Sequence, residues 1–72
     1  MRKSNLREAN FTEAILTGAD LTEADLSSVN AANADFTRAK LARAVLQQSD
    51  FTGANLAGAD LTKSNLDEAI FE

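Results

Sequence analysis

All nine leucines and all four phenylalanines of this 72-residue chain fall in one residue class, five apart. The series runs Leu6, Phe11, Leu16, Leu21, Leu26, Ala31, Phe36, Leu41, Leu46, Phe51, Leu56, Leu61, Leu66 and Phe71, and Ala31 is its only other member. Two positions before each central residue stands a small side chain. Ten of these are alanines; Ser4, Ser49 and Ser64 fill three slots and Val29 the last. A five-residue repeat therefore runs from Ser4 to the C-terminus without insertion or deletion, which sets the architecture before any local reading.

On an α-helix, residues five apart are rotated by roughly 140°, so the leucines would spiral around the rod and line no single face. On a flat strand an odd spacing throws successive large residues to opposite sides. A chain that bends by a constant angle every five residues points every central side chain to one interior. The period predicts a β-solenoid.

A second, weaker echo bears on the number of sides. Residues 11–26 match residues 51–66 at ten of sixteen positions, an offset of eight pentapeptides. Eight divides by four and not by three, so a square coil of twenty residues fits, as would a two-sided coil; the square is the expectation adopted. Columns of residues twenty apart follow, one strand spacing of about 4.8 Å between neighbours. They hold Leu6, Leu26, Leu46 and Leu66; Phe11, Ala31, Phe51 and Phe71; Leu16, Phe36 and Leu56; and Leu21, Leu41 and Leu61. Ala31 is a gap in its ladder, and its own repeat carries Val29 in place of Ala or Ser, so the two exceptions are expected to compensate in volume.

The segments Ala19–Glu23 (AlaAspLeuThrGlu), Ala54–Gly58 (AlaAsnLeuAlaGly) and Ala59–Lys63 (AlaAspLeuThrLys) resemble the A(D/N)LXX unit of the pentapeptide repeat family. The resemblance covers about fourteen consecutive repeats. It implies an all-β fold, a right-handed quadrilateral β-helix of about three and a half coils, with the central residue and the preceding small residue pointing inward. It transfers no catalytic residue, because the repeat is structural. Departures fall mostly on the Asp/Asn position: Ile15, Val45 and Ile70 are apolar there and Lys40 is cationic. The column assignment puts the three apolar residues on three different faces.

Residues 1–72 are expected to form a single pentapeptide-repeat domain. There is no cysteine or histidine, which removes disulfides, thiolate chemistry and the usual zinc ligands. No apolar run exceeds three residues, so neither a signal peptide nor a membrane span is expected, and a cytoplasmic location follows. A net charge of −4 argues against a generic nucleic-acid binder. The glycines, Gly18, Gly53 and Gly58, share one repeat position and suggest corners.

Asp20 and Asp60 share a column, as an acid and base pair would, but Lys40 lies between them. The expected arrangement is a surface ladder of alternating charge, with Glu23 and Arg43 as a similar pair beside it. Thr12, Thr17, Thr22, Thr37, Thr52 and Thr62 follow the central residue and read as β-surface residues, with no histidine to activate them. No catalytic, cofactor-binding or metal site is expected, and no enzyme activity.

Two functions remain. The first is a structural scaffold or protein–protein interaction module, with no membrane and no nucleic acid among its partners. The second, known for members of the family it resembles, is a DNA mimic that binds DNA gyrase as inhibitor or protector. That role needs a long acidic rod, whereas this rod is about 17 Å long and Arg38, Lys40, Arg43 and Lys63 interrupt its acidity. The scaffold is the preferred reading. Only Met1, Arg2 and Lys3 precede the first repeat, and the last runs to Phe71 and Glu72. Open coil ends expose apolar core and unpaired edges. An end interface is therefore expected, with Arg2, Lys3 and Arg7 at one rim and Asp67, Glu68, Ile70, Phe71 and Glu72 at the other, through which copies would self-associate.

Overall fold

The computed structural model describes residues 2–72; Met1 lies outside the described residues. Parallel β-bridges join residues twenty apart along the whole chain, from Asn5 with Asp25 to Asp50 with Ile70. The coil thus takes four pentapeptides, and the two-sided alternative is overturned. Each bridge stands alone: among the described residues, pairing never spans two consecutive positions. The β character is correspondingly thinner than an all-β reading implies, because a turn follows every bridge.

Backbone hydrogen bonding explains both the turn and the stack. The amide three residues after each central residue donates to the central carbonyl, as from Ala24 to Leu21 (3.0 Å) and from Ala39 to Phe36 (2.9 Å). The second residue inside this turn has positive φ in every repeat, between 57° and 70°, the signature of a type II turn. Between coils, the central amide donates upward, Leu21 to Lys40 (2.7 Å), as does the corner amide, Glu23 to Ala42 (2.9 Å). A return bond runs from the Lys40 amide to the Ala19 carbonyl (2.8 Å). With its polar backbone satisfied this way, the chain can bury its central side chains.

Gly18, Gly53 and Gly58 do sit at positive-φ corners, a position that Glu, Lys, Arg, Gln, Asn and Ser fill in the other repeats. What the corner excludes is branching at Cβ, which makes positive φ costly. Glycine has a further role at two corners. A Cβ on Gly53 would collide with the Asn33 amide oxygen, and one on Gly58 would stand 3.1 Å from Arg38 Cγ, so each leaves room for the side chain of the coil below.

Leu26, Ala31, Phe36, Leu41 and Leu46 are fully buried, and Leu21 and Phe51 are nearly so. Burial then fades toward the ends: Leu6, Phe11, Leu16, Leu56 and Leu61 are half-buried and pack against this centre. The core expected from the sequence is too broad at its C-terminal end, where Leu66 and Phe71 are each 40% exposed because no coil covers them. Phe71 stacks on Phe51 (5.4 Å, 20°), and Phe51 meets Phe36 edge to face (5.1 Å, 86°).

The interior composition explains Ala31. Each complete coil holds one phenylalanine: Phe11 in the first, Phe36 in the second and Phe51 in the third. In the second coil the ring has moved to the neighbouring face, and Ala31 stands where Phe would otherwise be. Val29 is buried in that same coil and restores most of the missing volume, leaving it about one carbon short of the first coil. Ser49, the one buried polar residue among the described residues, donates its hydroxyl to the Leu46 carbonyl at 2.7 Å.

Candidate functional site

The surface is built from three outward positions per repeat: the bridge residue before the central one and the two turn residues after it. Every Asp or Asn at the bridge position turns its Oδ1 back onto its own turn. The amide two residues on donates to it, as from Thr22 to Asp20 (3.1 Å), Ser27 to Asp25 (3.0 Å) and Asp67 to Asn65 (3.0 Å). Where that residue is Thr or Ser, its hydroxyl donates to the same oxygen. Thr12 to Asn10, Thr22 to Asp20 and Ser27 to Asp25 do so at 2.6 Å, and Thr37, Thr52 and Thr62 bond Asp35, Asp50 and Asp60 likewise. Five of the six threonines, Thr17 excepted, are thus turn locks rather than generic β-surface residues. Their recurrence two places after Asp or Asn was the available signal.

These donors also set the acidity. The Thr hydroxyl, then the Thr amide, hold the carboxyls of Asp20, Asp35, Asp50 and Asp60 below the ordinary value of 3.8, and the Ser27 hydroxyl and amide do the same for Asp25. Thr17, which follows Ile15 and so lacks an acceptor in its own turn, contributes to Asp35 on the next coil.

Asp20, Lys40 and Asp60 form one bridged column. The charge ladder is not closed by direct contacts, however. The one ion pair among the described residues joins Lys3 Nζ to Glu23 Oε1 at 3.7 Å, in place of the expected Glu23–Arg43 pair. Asp20 and Asp60 spend an oxygen on their own turns, and the lysine between them is exposed. Ile15, Val45 and Ile70 bridge Asp35, Asp25 and Asp50 and so lie on three different faces. Ile15 is the barest, at 81% exposed. Among the described residues, no three acidic side chains gather as a metal ion would need, and no helix is long and apolar enough to cross a membrane.

At the two ends, Arg2, Lys3 and Arg7 are exposed on the first coil, and Asp67, Glu68, Ile70, Phe71 and Glu72 on the last. Glu68 accepts a hydrogen bond from the Gln48 side chain at 3.0 Å. Among the described residues the amides of Leu56, Gly58, Leu61, Lys63, Leu66, Glu68 and Phe71 reach no backbone carbonyl, whereas their counterparts one coil below all do.

A stack of turn-locked pentapeptides bridged every twenty residues is the architecture of a repeat solenoid, and comparison assigns its family. The pentapeptide repeats family matches residues 4–41 and 34–72 in eight copies, and the chain belongs to it. Two crystal structures of similar proteins cover nearly all of it. One is HetL, a pentapeptide repeat protein involved in heterocyst differentiation regulation from the cyanobacterium Nostoc sp. strain PCC 7120. It is 34% identical with a TM-score of 0.92, and the match covers 97% of this chain and 33% of HetL. The other is the pentapeptide repeat protein Rfr23 from the cyanobacterium Cyanothece 51142, 30% identical with a TM-score of 0.84 over 100% of this chain and 56% of that one. The chain therefore spans about a third of HetL and just over half of Rfr23. No curated protein matches it significantly.

Proposed function

We propose that the chain is a non-enzymatic scaffold, a short right-handed quadrilateral β-helix of about three and a half coils, working as a protein–protein interaction module within the cytoplasm. The observation that carries this reading is the hydrogen bonding of the surface. Asp, Asn, Thr and Ser are tied into their own turns, so the outward columns are rigid and lose little conformational freedom when a partner docks. The part HetL plays in regulating heterocyst differentiation is consistent with such a role.

The last coil offers a second contact. Its open amides surround exposed Leu66, Ile70 and Phe71, and its rim carries Asp67, Glu68 and Glu72, while the opposite rim carries Arg2, Lys3 and Arg7. Head-to-tail stacking of copies would add a coil to each end and bring these charges together, a heterologous contact that can propagate. Sedimentation across a concentration series tests it. Reversing Asp67 and Glu68 to Lys should weaken the assembly, and association indifferent to that change refutes end stacking.

The gyrase-mimic alternative draws support from one feature. The faces carrying Leu6 and Phe11 present Glu8, Glu13, Asp25, Asp50, Asp67, Glu68 and Glu72 against a single cation, Arg7. A supercoiling assay with excess chain discriminates the two: inhibition or protection of gyrase favours mimicry, and no effect favours the scaffold.

A further inference from the structure

The twenty-residue register distributes charge unevenly around the coil. Of the seven cations, Arg2, Lys3, Lys40, Arg43 and Lys63 lie on the face whose central residues are Leu21, Leu41 and Leu61, and Arg38 lies at its leading corner. On this face the charges are arranged in rungs. The first rung carries Asp20 at its middle and Glu23 at its trailing corner; the next carries Lys40 and Arg43 at the same two places. The rungs are adjacent, since Asp20 bridges Lys40 and the Glu23 amide bonds the Ala42 carbonyl at 2.9 Å. Neither Lys40 nor Arg43 has an ion-pair partner among the described residues, whereas Glu23 holds Lys3 through one carboxylate oxygen at 3.7 Å and has its second oxygen left for Arg43 of a second copy.

We propose that this face binds the same face of a second copy, related by a two-fold axis that runs along the coil direction between these two rungs. Such an axis inverts the order of the rungs and keeps left and right. Lys40 then meets Asp20 of the second copy, and Arg43 meets its Glu23, with both contacts repeated reciprocally. The register one rung further on is worse, because it keeps one attractive contact, Lys40 to Asp60, and sets Arg43 against Lys63; the chosen register keeps two attractive contacts, and its one like-charge contact, Lys3 against Lys63, falls on the outermost rungs. An isologous patch must be complementary to itself under its own two-fold, and a positive rung beside a negative rung satisfies that condition. Equal rung spacing in both copies keeps the pairs aligned. Molecular extents of 23 × 22 × 17 Å limit the buried face to about 400 Å² per copy, well under the ~800 Å² of a stable complex. The dimer is therefore weak and steered by charge, and it closes, unlike end stacking.

Exchange of charge at the corner tests this without touching core or turn locks. Both substitutions use side chains already found at other positive-φ corners. In Glu23→Lys both corner charges are positive, and in Arg43→Glu both are negative, so each variant alone should self-associate at least about tenfold more weakly than the parent. An equimolar mixture restores both attractive contacts and should recover the association, now as a heterodimer. Sedimentation at up to about 1 mM, in about 20 mM and about 500 mM salt, reads the result, with the attraction expected to fade at the higher salt. A parent chain that stays monomeric at low salt overturns the proposal. So does association unchanged in both variants, or variants that fail to recover on mixing while each keeps the parent's thermal transition.

Discussion

The second coil's interior makes a quantitative test of how tightly this core specifies its residues. Ala31→Phe places a second ring in a coil that already holds Phe36, around side chains with 0 to 2% exposure. Overpacking of this kind costs about 1–3 kcal/mol. Phe36→Leu and Val29→Ala each remove carbons from the same coil, and alone each would leave a void costing about 1 kcal/mol or more. Combined, the three substitutions reproduce the first coil's large residues, one Phe among three Leu, with Ala at the small position of the second face. The new ring would then sit between Phe11 and Phe51, in the relation Phe71 already has to Phe51 at 5.4 Å. We expect the triple variant to return within about 1 kcal/mol of the parent, and the pairwise terms linking residue 31 with 29 and 36 to be favourable by about 1 kcal/mol or more. Each kcal/mol moves the transition of a domain this size by about 4–8 °C, so thermal and urea melts resolve the cycle. Additive effects within about 0.3 kcal/mol would refute compensation and mean that the three sites relax independently.

Leu41→Asp should prevent folding, because a carboxylate would lie unpaired at a fully buried position; a native circular dichroism spectrum and melt would contradict this. At the Arg43 corner (φ 58°), Arg43→Val should destabilise by about 1–2 kcal/mol, while Arg43→Asn or Arg43→Gly stays close to the parent; equal effects would mean that the turn can change type. The lowered pKa values of Asp20, Asp25, Asp35, Asp50 and Asp60 make the fold acid-sensitive in one direction. Their stabilisation is complete above the unfolded value near 3.8 and is lost as pH falls through the lower folded values, so the melting temperature should be flat near neutrality and drop below about pH 4. Thr62→Val removes the main donor to Asp60 and should lower the melting temperature while reducing that acid dependence; an unchanged pH profile would show that the backbone amide suffices.

The coil was legible because its determinant is a period. Thirteen large residues in one class admit a single kind of winding, and the forty-residue echo gave a length that the bridges between residues twenty apart satisfy. Less legible were the features that depend on the sign of φ and on side-chain direction. Gly18, Gly53 and Gly58 mark the corner position in three repeats only. The stronger signal was that no β-branched residue occupies it, while six threonines crowd the position just before. Thr37 and Asp35 look like two separate surface residues on paper; only the turn, by folding residue 37 back over residue 35, makes them partners. The Lys3–Glu23 pair is hidden in the repeat pattern because Lys3 precedes the first complete repeat, and only the twenty-residue register brings it beside Glu23.

Division of labour within the pentapeptide also locates where this chain can carry information for a partner. The small and central positions are committed to the interior, and ten of the bridge positions are committed to turn locks through Asp or Asn, most with help from Thr or Ser. What remains variable is the positive-φ corner, which carries Glu, Lys, Arg, Gln, Asn, Ser or Gly and is crowded from below only at Gly53 and Gly58, and the four bridge positions where Asp or Asn is absent. Five of the seven cations occupy just these places: Lys3, Arg38, Arg43 and Lys63 at corners and Lys40 at a bridge. The repeat itself has no use for a positive charge, since an acceptor is what locks the turn. Their collection on and beside one face is therefore independent of the demands of the coil, and these same residues are the ones that the proposed two-fold would bring against a second copy.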